Sequence, residues 1–462
     1  MRKIIYLFFV VIIFTTFSCK KDKNDPVDIP EAQLSKVVLK GASKTVGYFD
    51  KIKELPNGHI LTGGYAYDSL YINGVRYSLT QADMFFIEYT KSGEIVKSKV
   101  FNLSGNQYLK DFCIGTDGSI YVLTEFDGSI DLGTGTLTSN GSYDDCMFKM
   151  NSALSVTNAY TFGNGSSSFC NALTVDKENN PIVIGNFQDN FMLHGVEVAT
   201  TAGRSTLLVA KFNSTLTSST FRTFSGNSST YIYPKRIATD NNSNIYFGGE
   251  FVGKVYFTFS ALYAEDYHAF LVKMNSSLES QWDKGGSGLD GNTNLCGLGT
   301  DADGNLYTVT NVEGTPTWNG VSYDFPTKGG VLQRFQSDGT LTWSKSIKGV
   351  YNYSFGLDVH NGRIVLYPGK NEGTLTINRG GPPYAEVLVF DYSGNTVWRK
   401  NCQPTGASFN GIYINNAIVD ADKRIWITGY LRGNIDMNNN GSNLSDGTIN
   451  AGNVENTFIL RY

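Results

Sequence analysis

The 462-residue chain carries 38 Lys and Arg against 42 Asp and Glu, a formal charge of −4 that argues against a nucleic-acid partner, for which a basic patch is expected. With 50 Gly, only 11 Pro and 13% aromatic residues, the composition suits an all-β protein with tight turns. None of the six cysteines stands in a CxxC pair, which argues against a zinc framework; no P-loop, GxSxG or dinucleotide glycine pattern sits in a strand–turn–helix setting, so no cofactor is expected.

Arg2 and Lys3 precede an apolar stretch from Ile4 to Phe17, too short for a membrane span and right for a secretory signal. It runs into TFSC, where Cys19 is followed by Lys20, Lys21, Asp22 and Lys23. This stretch resembles a bacterial lipoprotein signal, with Thr16 where Leu is commonest, a looseness found in Bacteroidetes-type lipoproteins. The resemblance implies a signal peptide over 1–18, lipid carried by Cys19 as the first mature residue, and a place at the cell envelope, on the outer membrane. Removing residues 1–18 takes Arg2 and Lys3 away and leaves a formal charge of −6. Residues 19–33, with Pro26 and Pro30 among polar residues, read as a flexible tether.

From residue 34 to 462 the chain repeats. A strand after a polar turn reads NGHILTGGY, DGSIYVLTEF, NNPIVIGNF, SNIYFGGEF, GNLYTVTNV, GRIVLYPGK and KRIWITGYL. Its first Ile or Leu falls at 60, 120, 182, 245, 306, 364 and 425. This is the second strand of each copy, and a third follows it, from MFFIEY and DCMFKM to TFILRY, with a charged residue before a large apolar one: Glu88–Tyr89, Lys149–Met150, Lys211–Phe212, Lys273–Met274, Arg334–Phe335, Asp391–Tyr392 and Arg461–Tyr462. Adjacent strand residues point to opposite faces, so one face is buried and the other lets the charged side chain run along its neighbours or reach water. An outer strand after a tight turn holds Trp282, Trp343 and Trp398 in one register, and an inner strand, such as KRIATD or NAIVDAD, precedes the anchor strand. Each unit thus has four strands, inner to outer.

The repeat resembles the bacterial SBBP-type β-propeller family, most closely in IATDNNSNIYFGGEF with HAFLVKMNSSLESQW and in LGTDADGNLYTVTNV with VLQRFQSDGTLTWSK. In the sixth copy Pro368 and KNEG replace the usual residues, which puts its second strand in question. The expected fold is an all-β, seven-bladed β-propeller over 34–462 with four-stranded blades, since each sheet buries its faces on its neighbours. The last unit lacks an outer strand, and SKVVLKG at 35–41 has the outer-strand pattern with no unit ahead of it. It is expected to pair beside TFILRY and complete the last blade.

Sites of chemistry are sparse. Cys113, Cys146, Cys170, Cys296 and Cys402 read as small buried residues, and His59, His194, His268 and His360 occupy unrelated repeat positions. The aspartates of TDNNSN and DADGN lack the calcium-loop spacing and read as turn caps. The links from outer to inner strands are rich in Gly, Ser and Asn and carry Tyr108, Phe169, Tyr231, Tyr233, Tyr351, Tyr353, Phe409 and Tyr413. In a propeller these links share one face around the axial opening, and aromatic plates amid small polar residues suit recognition. The expected function is that of a monomeric, lipid-anchored binding or scaffolding module for a glycan or an envelope protein. The alternative is a carbohydrate-active hydrolase or lyase using acids at the axial opening, such as Asp111 and Asp290.

Overall fold

A computed structural model describes residues 35–39, 47–163, 169–200, 205–286, 291–347, 355–368, 385–405, 411–436 and 448–462. Cys19 and the tether lie outside these residues. The described residues hold strands and turns and no helix. Every pairing is antiparallel, and the first run sets the pattern: Gly47–Glu54, Ile60–Ala66, Asp83–Tyr89 and Ile95–Val100 lie side by side in chain order. The same order recurs from Gln107–Ile114 to Val156–Phe162 and from Gly291–Thr300 to Leu341–Ile347. Two eight-stranded sheets are each a pair of such runs, joined where the outer strand of one meets the extended second strand of the next. One joint pairs Ser225 with Tyr256 and Gly226 with Val255.

The strand Ser35–Leu39 pairs with the last strand, Thr448–Arg461, with Ser35 opposite Arg461 and Leu39 opposite Thr457. It therefore takes the outer place beside TFILRY, as its pattern implied. The sixth copy also keeps its second strand, Arg363–Pro368. Pro368 is tolerated because it is the terminal residue, opposite Phe355, and pairing to Ala385–Asp391 has already stopped at Leu366.

Burial follows position in the run. All seven residues of Asp83–Tyr89 are buried, whereas Ile95–Val100 is partly exposed along its length. The cores lie between adjacent runs: Tyr121, Leu123 and Met147 pack with Cys170, Leu173 and Val183 of the next. Ile418, Trp426 and Ile459 of the last run pack with Ile52, Ile60 and Phe85 of the first.

The charged residue near the end of the third strand also reaches across. Lys149, Lys211 and Lys273 donate from Nζ to the carbonyls of Ser214, Ser276 and Ser337 in the following run, at 3.2, 2.9 and 2.7 Å. Arg461 does the same to the Lys91 carbonyl of the first run. On the way, Lys149, Lys273 and Arg461 cross the rings of Tyr121, Tyr246 and Trp426 at 5.2–5.8 Å, so each cation lies on an aromatic face while its head bonds a neighbour.

Short hairpins missing from the repeat reading lie between second and third strands, such as Ser69–Ile72 with Val75–Ser78. Asn73 and Gly74 turn it at φ 49° and 79°, the positive pair a two-residue hairpin demands. In the fourth run the corresponding hairpin is continuous with the long strands Ile245–Tyr256 and Ala261–Met274.

Candidate functional site

Seven strands begin their runs: Gly47–Glu54, Gln107–Ile114, Cys170–Val175, Tyr231–Thr239, Gly291–Thr300, Phe355–His360 and Gly411–Val419. Each packs against the next in this order, and the last packs back on the first. All seven contribute to the lining of one cavity of about 930 Å³.

A backbone irregularity shapes this lining. The register slips by one residue between Phe49 and Lys51, Leu109 and Asp111, Cys170 and Ala172, Pro234 and Arg236, Leu295 and Gly297, and Ile414 and Asn416. A bulge bends its strand and re-aims the side chains around it. It also presses the inner strand onto its partner. A Cβ on Gly185, Gly249 or Gly429 would stand 2.5, 1.9 or 2.0 Å from the carbonyl oxygen of Phe169, Tyr233 or Tyr413. Thr124 fills the same slot in another run and donates to the Tyr108 carbonyl at 2.9 Å. The glycines of IGNF, GGEF and TGYL are thus the partners of the bulges.

At the bulge itself, Lys110 pairs with Glu125 at 2.7 Å and with buried Asp145 at 3.8 Å, and Lys235 pairs with Glu250 at 2.8 Å. Burial alone would lower the Lys110 pKa, but Asp145 and Glu125 outweigh it and raise the value. One residue further on, Lys51 meets Asp111 at 3.3 Å. The second Asp111 oxygen accepts from the Leu173 N–H at 3.1 Å. Across the cavity Tyr367 donates to Asn416 Oδ1 at 3.1 Å. Further along, the hydroxyls of Thr239 and Thr300 donate to the carbonyls of Val175 and Thr239 at 2.7 and 2.8 Å, stitching adjacent inner strands together. Near the strand ends Glu54 accepts from the Ala421 N–H and from Asn361 Nδ2, with His360 at 3.7 Å.

Among the aromatic candidates, Tyr108 lines the cavity. Its ring meets Tyr65 edge-on at 5.2 Å and Tyr143 at 6.1 Å, and burial with a phenol neighbour, Tyr67, pushes its hydroxyl pKa up to about 12. Tyr231 and Tyr233 hold parallel rings 6.2 Å apart, with Tyr267 a further 6.2 Å from Tyr233. Tyr413 stacks on Tyr430 at 4.4 Å. Tyr108, Tyr231, Tyr233 and Tyr413 all fall within the first three residues of their inner strands. Phe169 instead is buried among Phe162, Phe187 and Phe191 and belongs to the core. Tyr351, Tyr353, Phe409 and Asp290 lie outside the described residues.

The sequence reading did not single out Tyr65, Tyr143, Tyr267 and Tyr430, or the cavity charges Lys51, Lys53, Arg236 and Asp358. Tyr65 and Tyr430 share the sixth place of their strands, a signal present in TGGY and TGYL. Tyr267 belongs to an exposed hairpin face with Tyr256 and Tyr263, which are 49% and 59% exposed.

The aspartates of the turns are caps. Oδ1 of Asp301 accepts from the N–H groups of Asp303 and Asn305 at 3.0 and 2.9 Å, and Oδ2 from Asn305 Nδ2 and the Tyr307 hydroxyl, both at 2.9 Å. Asp240 makes the same set with Asn242, Asn244 and Tyr246. Cys113, Cys146, Cys170 and Cys296 are buried free thiols. Among the described residues no group of three or more His, Cys, Asp or Glu side chains is placed to hold a metal ion.

No protein-family model matches the chain, and no curated protein matches it. Among solved structures it is similar to the Pan2 WD40 domain of Neurospora crassa, at 9% identity and a TM-score of 0.42, over 91% of this chain and 89% of that one. It is similar as well to prolyl oligopeptidase B from Galerina marginata bound to a 35mer hydrolysis and macrocyclization substrate, at 9% identity and a TM-score of 0.40 over 84% of this chain. The chain spans about half the length of that oligopeptidase, 47%.

Proposed function

We propose that residues 34–462 form a closed, seven-bladed β-propeller of the SBBP-repeat kind, held at the cell envelope by lipid on Cys19 and a tether over 19–33, and that it acts as a binding module. The closed reading is supported by the order in which the seven inner strands pack, by the shared core between last and first runs, and by the Ser35–Leu39 pairing. The ligand is a glycan, held at the end of the cavity where the inner strands begin.

The observation that carries this reading is the placement of Tyr108, Tyr231, Tyr233 and Tyr413 at those strand beginnings. Flat amphipathic rings with a hydroxyl at the edge stack on sugar rings and bond their hydroxyls at low entropic cost. Of the acids named for the acid–base alternative, Asp111 has both oxygens engaged, one by Lys51 and the other by the Leu173 N–H, and Asp290 lies outside the described residues.

A glycan array probed with the detergent-solubilised chain tests the proposal, alongside a pull-down from solubilised envelope. Binding to a glycan class, lost in a Tyr231→Ala/Tyr233→Ala variant with an unchanged melting curve, is the expected result. Silence on the array with recovery of one envelope protein would replace the glycan by a protein partner. Labelled palmitate incorporation that survives Cys19→Ala would overturn the anchor.

A further inference from the structure

We propose that the axial cavity seats the carboxylate of an acidic sugar, so that the ligand is a uronate-containing glycan. This deepens the glycan reading and rests on it. Lys51 and Lys110 are answered by Asp111, Glu125 and Asp145. Lys53 and Arg236 also line the cavity, and among the described residues neither has a carboxylate within ion-pair distance. Arg236 uses one N–H, donating from Nη1 to the Lys235 carbonyl at 2.8 Å, which fixes the guanidinium and leaves four N–H groups for a ligand.

The second feature is Asp358, from a different inner strand. Its Oδ2 is shielded from solvent and has no hydrogen-bond partner. Burial raises the pKa of this carboxyl, with Lys53 and His360 opposing the rise and Glu54 adding to it. A buried carboxyl oxygen without a donor is costly, and protonation of the carboxyl lowers that cost. Arg236, Asp358, Asp111 and Tyr367 all line this one cavity.

Lys53 and Arg236, the lining cations without an ion-pair partner among the described residues, are the anchor for an anion. Asp240, Asp301 and Asp358 line the same cavity, so a singly charged carboxylate meets less repulsion there than a doubly charged phosphate. Guanidinium groups bind carboxylates through paired N–H donors. The remaining lining supplies what a sugar ring needs: the Tyr367 oxygen as acceptor, the Asn416 amide, and the rings of Tyr65 and Tyr108. A volume of about 930 Å³ holds a sugar unit with its neighbour.

The test is calorimetric titration of the detergent-solubilised full chain with oligogalacturonate and oligoglucuronate, their neutral galactose and glucose counterparts, and inorganic phosphate. Uronate oligomers should bind, weakening as salt rises, and the neutral oligomers should bind at least about 10-fold more weakly. Arg236→Gln and Lys53→Gln should each lower uronate affinity about 10- to 100-fold, while Lys254→Gln on the exposed hairpin leaves it unchanged. Salt dependence in the parent protein stands even where a cavity variant fails to fold. Neutral glycans bound as tightly as uronates would overturn the carboxylate assignment and leave the glycan reading intact. Phosphate competing as well as uronate would make the site a general anion site and overturn the sugar assignment. Absence of all glycan binding would overturn both.

Discussion

Replacing Asp301 by Ala isolates what one turn cap contributes. The side chain is 5% exposed and accepts from two turn N–H groups, the Asn305 amide and the Tyr307 hydroxyl, while the Tyr307 ring is fully buried. The turn N–H groups can turn to water, at a loss of about 1 kcal/mol each; the phenol has no such recourse and costs about 1–3 kcal/mol when left without its acceptor. The expected loss is therefore about 3–5 kcal/mol, read as a shift of the urea midpoint at unchanged slope. Asp301→Ala/Tyr307→Phe removes the orphaned hydroxyl as well, so the double variant should be less destabilised than the sum of the singles by about 1–3 kcal/mol. Asp303→Ala, at an exposed position of the same turn, serves as the control. A loss below about 1 kcal/mol for Asp301→Ala, or strict additivity of the pair, would refute the cap; added calcium raising the melting temperature of the parent but not of Asp301→Ala would make the loop a cation site instead.

Three further expectations follow from the same geometry. Deleting residues 35–39 strips the last strand of its outer partner beside buried Phe458 and Leu460, so the truncated chain should melt earlier and less cooperatively than a deletion within an exposed loop; an unchanged melting curve would refute the pairing. Asp83 has one oxygen on the Leu103 N–H and the other buried without a partner, and burial pushes its pKa from 3.8 up to about 6. Between those values only the folded state holds the proton, so stability falls by about 2–3 kcal/mol as pH rises through this window, and Asp83→Asn should flatten the slope in urea titrations taken across it. Burial also raises the pKa values of Cys113, Cys146, Cys170 and Cys296, so mass mapping after alkylation should find all four unmodified in the native protein and modified once it is unfolded.

The strand order was legible in the sequence because hydrophobic runs return near every sixtieth residue and because a charged residue beside a large apolar one marks the end of each third strand. Even the partner of TFILRY could be found, since SKVVLKG had the pattern of an outer strand and nothing before it to join. The candidate site was read in part. Tyr108, Tyr231, Tyr233 and Tyr413 were singled out because polar links isolate them and fall at the beginnings of inner strands, but Phe169 sits in a similar link and goes inward, where it packs on Phe162, Phe187 and Phe191. Apart from Asp111, the inner-strand charges were missed because a bulge breaks the two-residue alternation at the place where it is needed. Lys110, Asp111, Lys235 and Arg236 look like consecutive surface residues until one of each pair is squeezed out of register. The trace left in the sequence is on the facing strand, where Gly185, Gly249 and Gly429 make room.

The pairing of Ser35 with Arg461 has a consequence for the life of the chain before it is functional. A nascent polypeptide emerging residue by residue carries Ser35–Leu39 long before its partner, and nothing matches that strand until residues 457–461 appear. This pairing is therefore held back to a late stage of synthesis or export, and any product interrupted before it keeps an unpaired leading strand open to proteases.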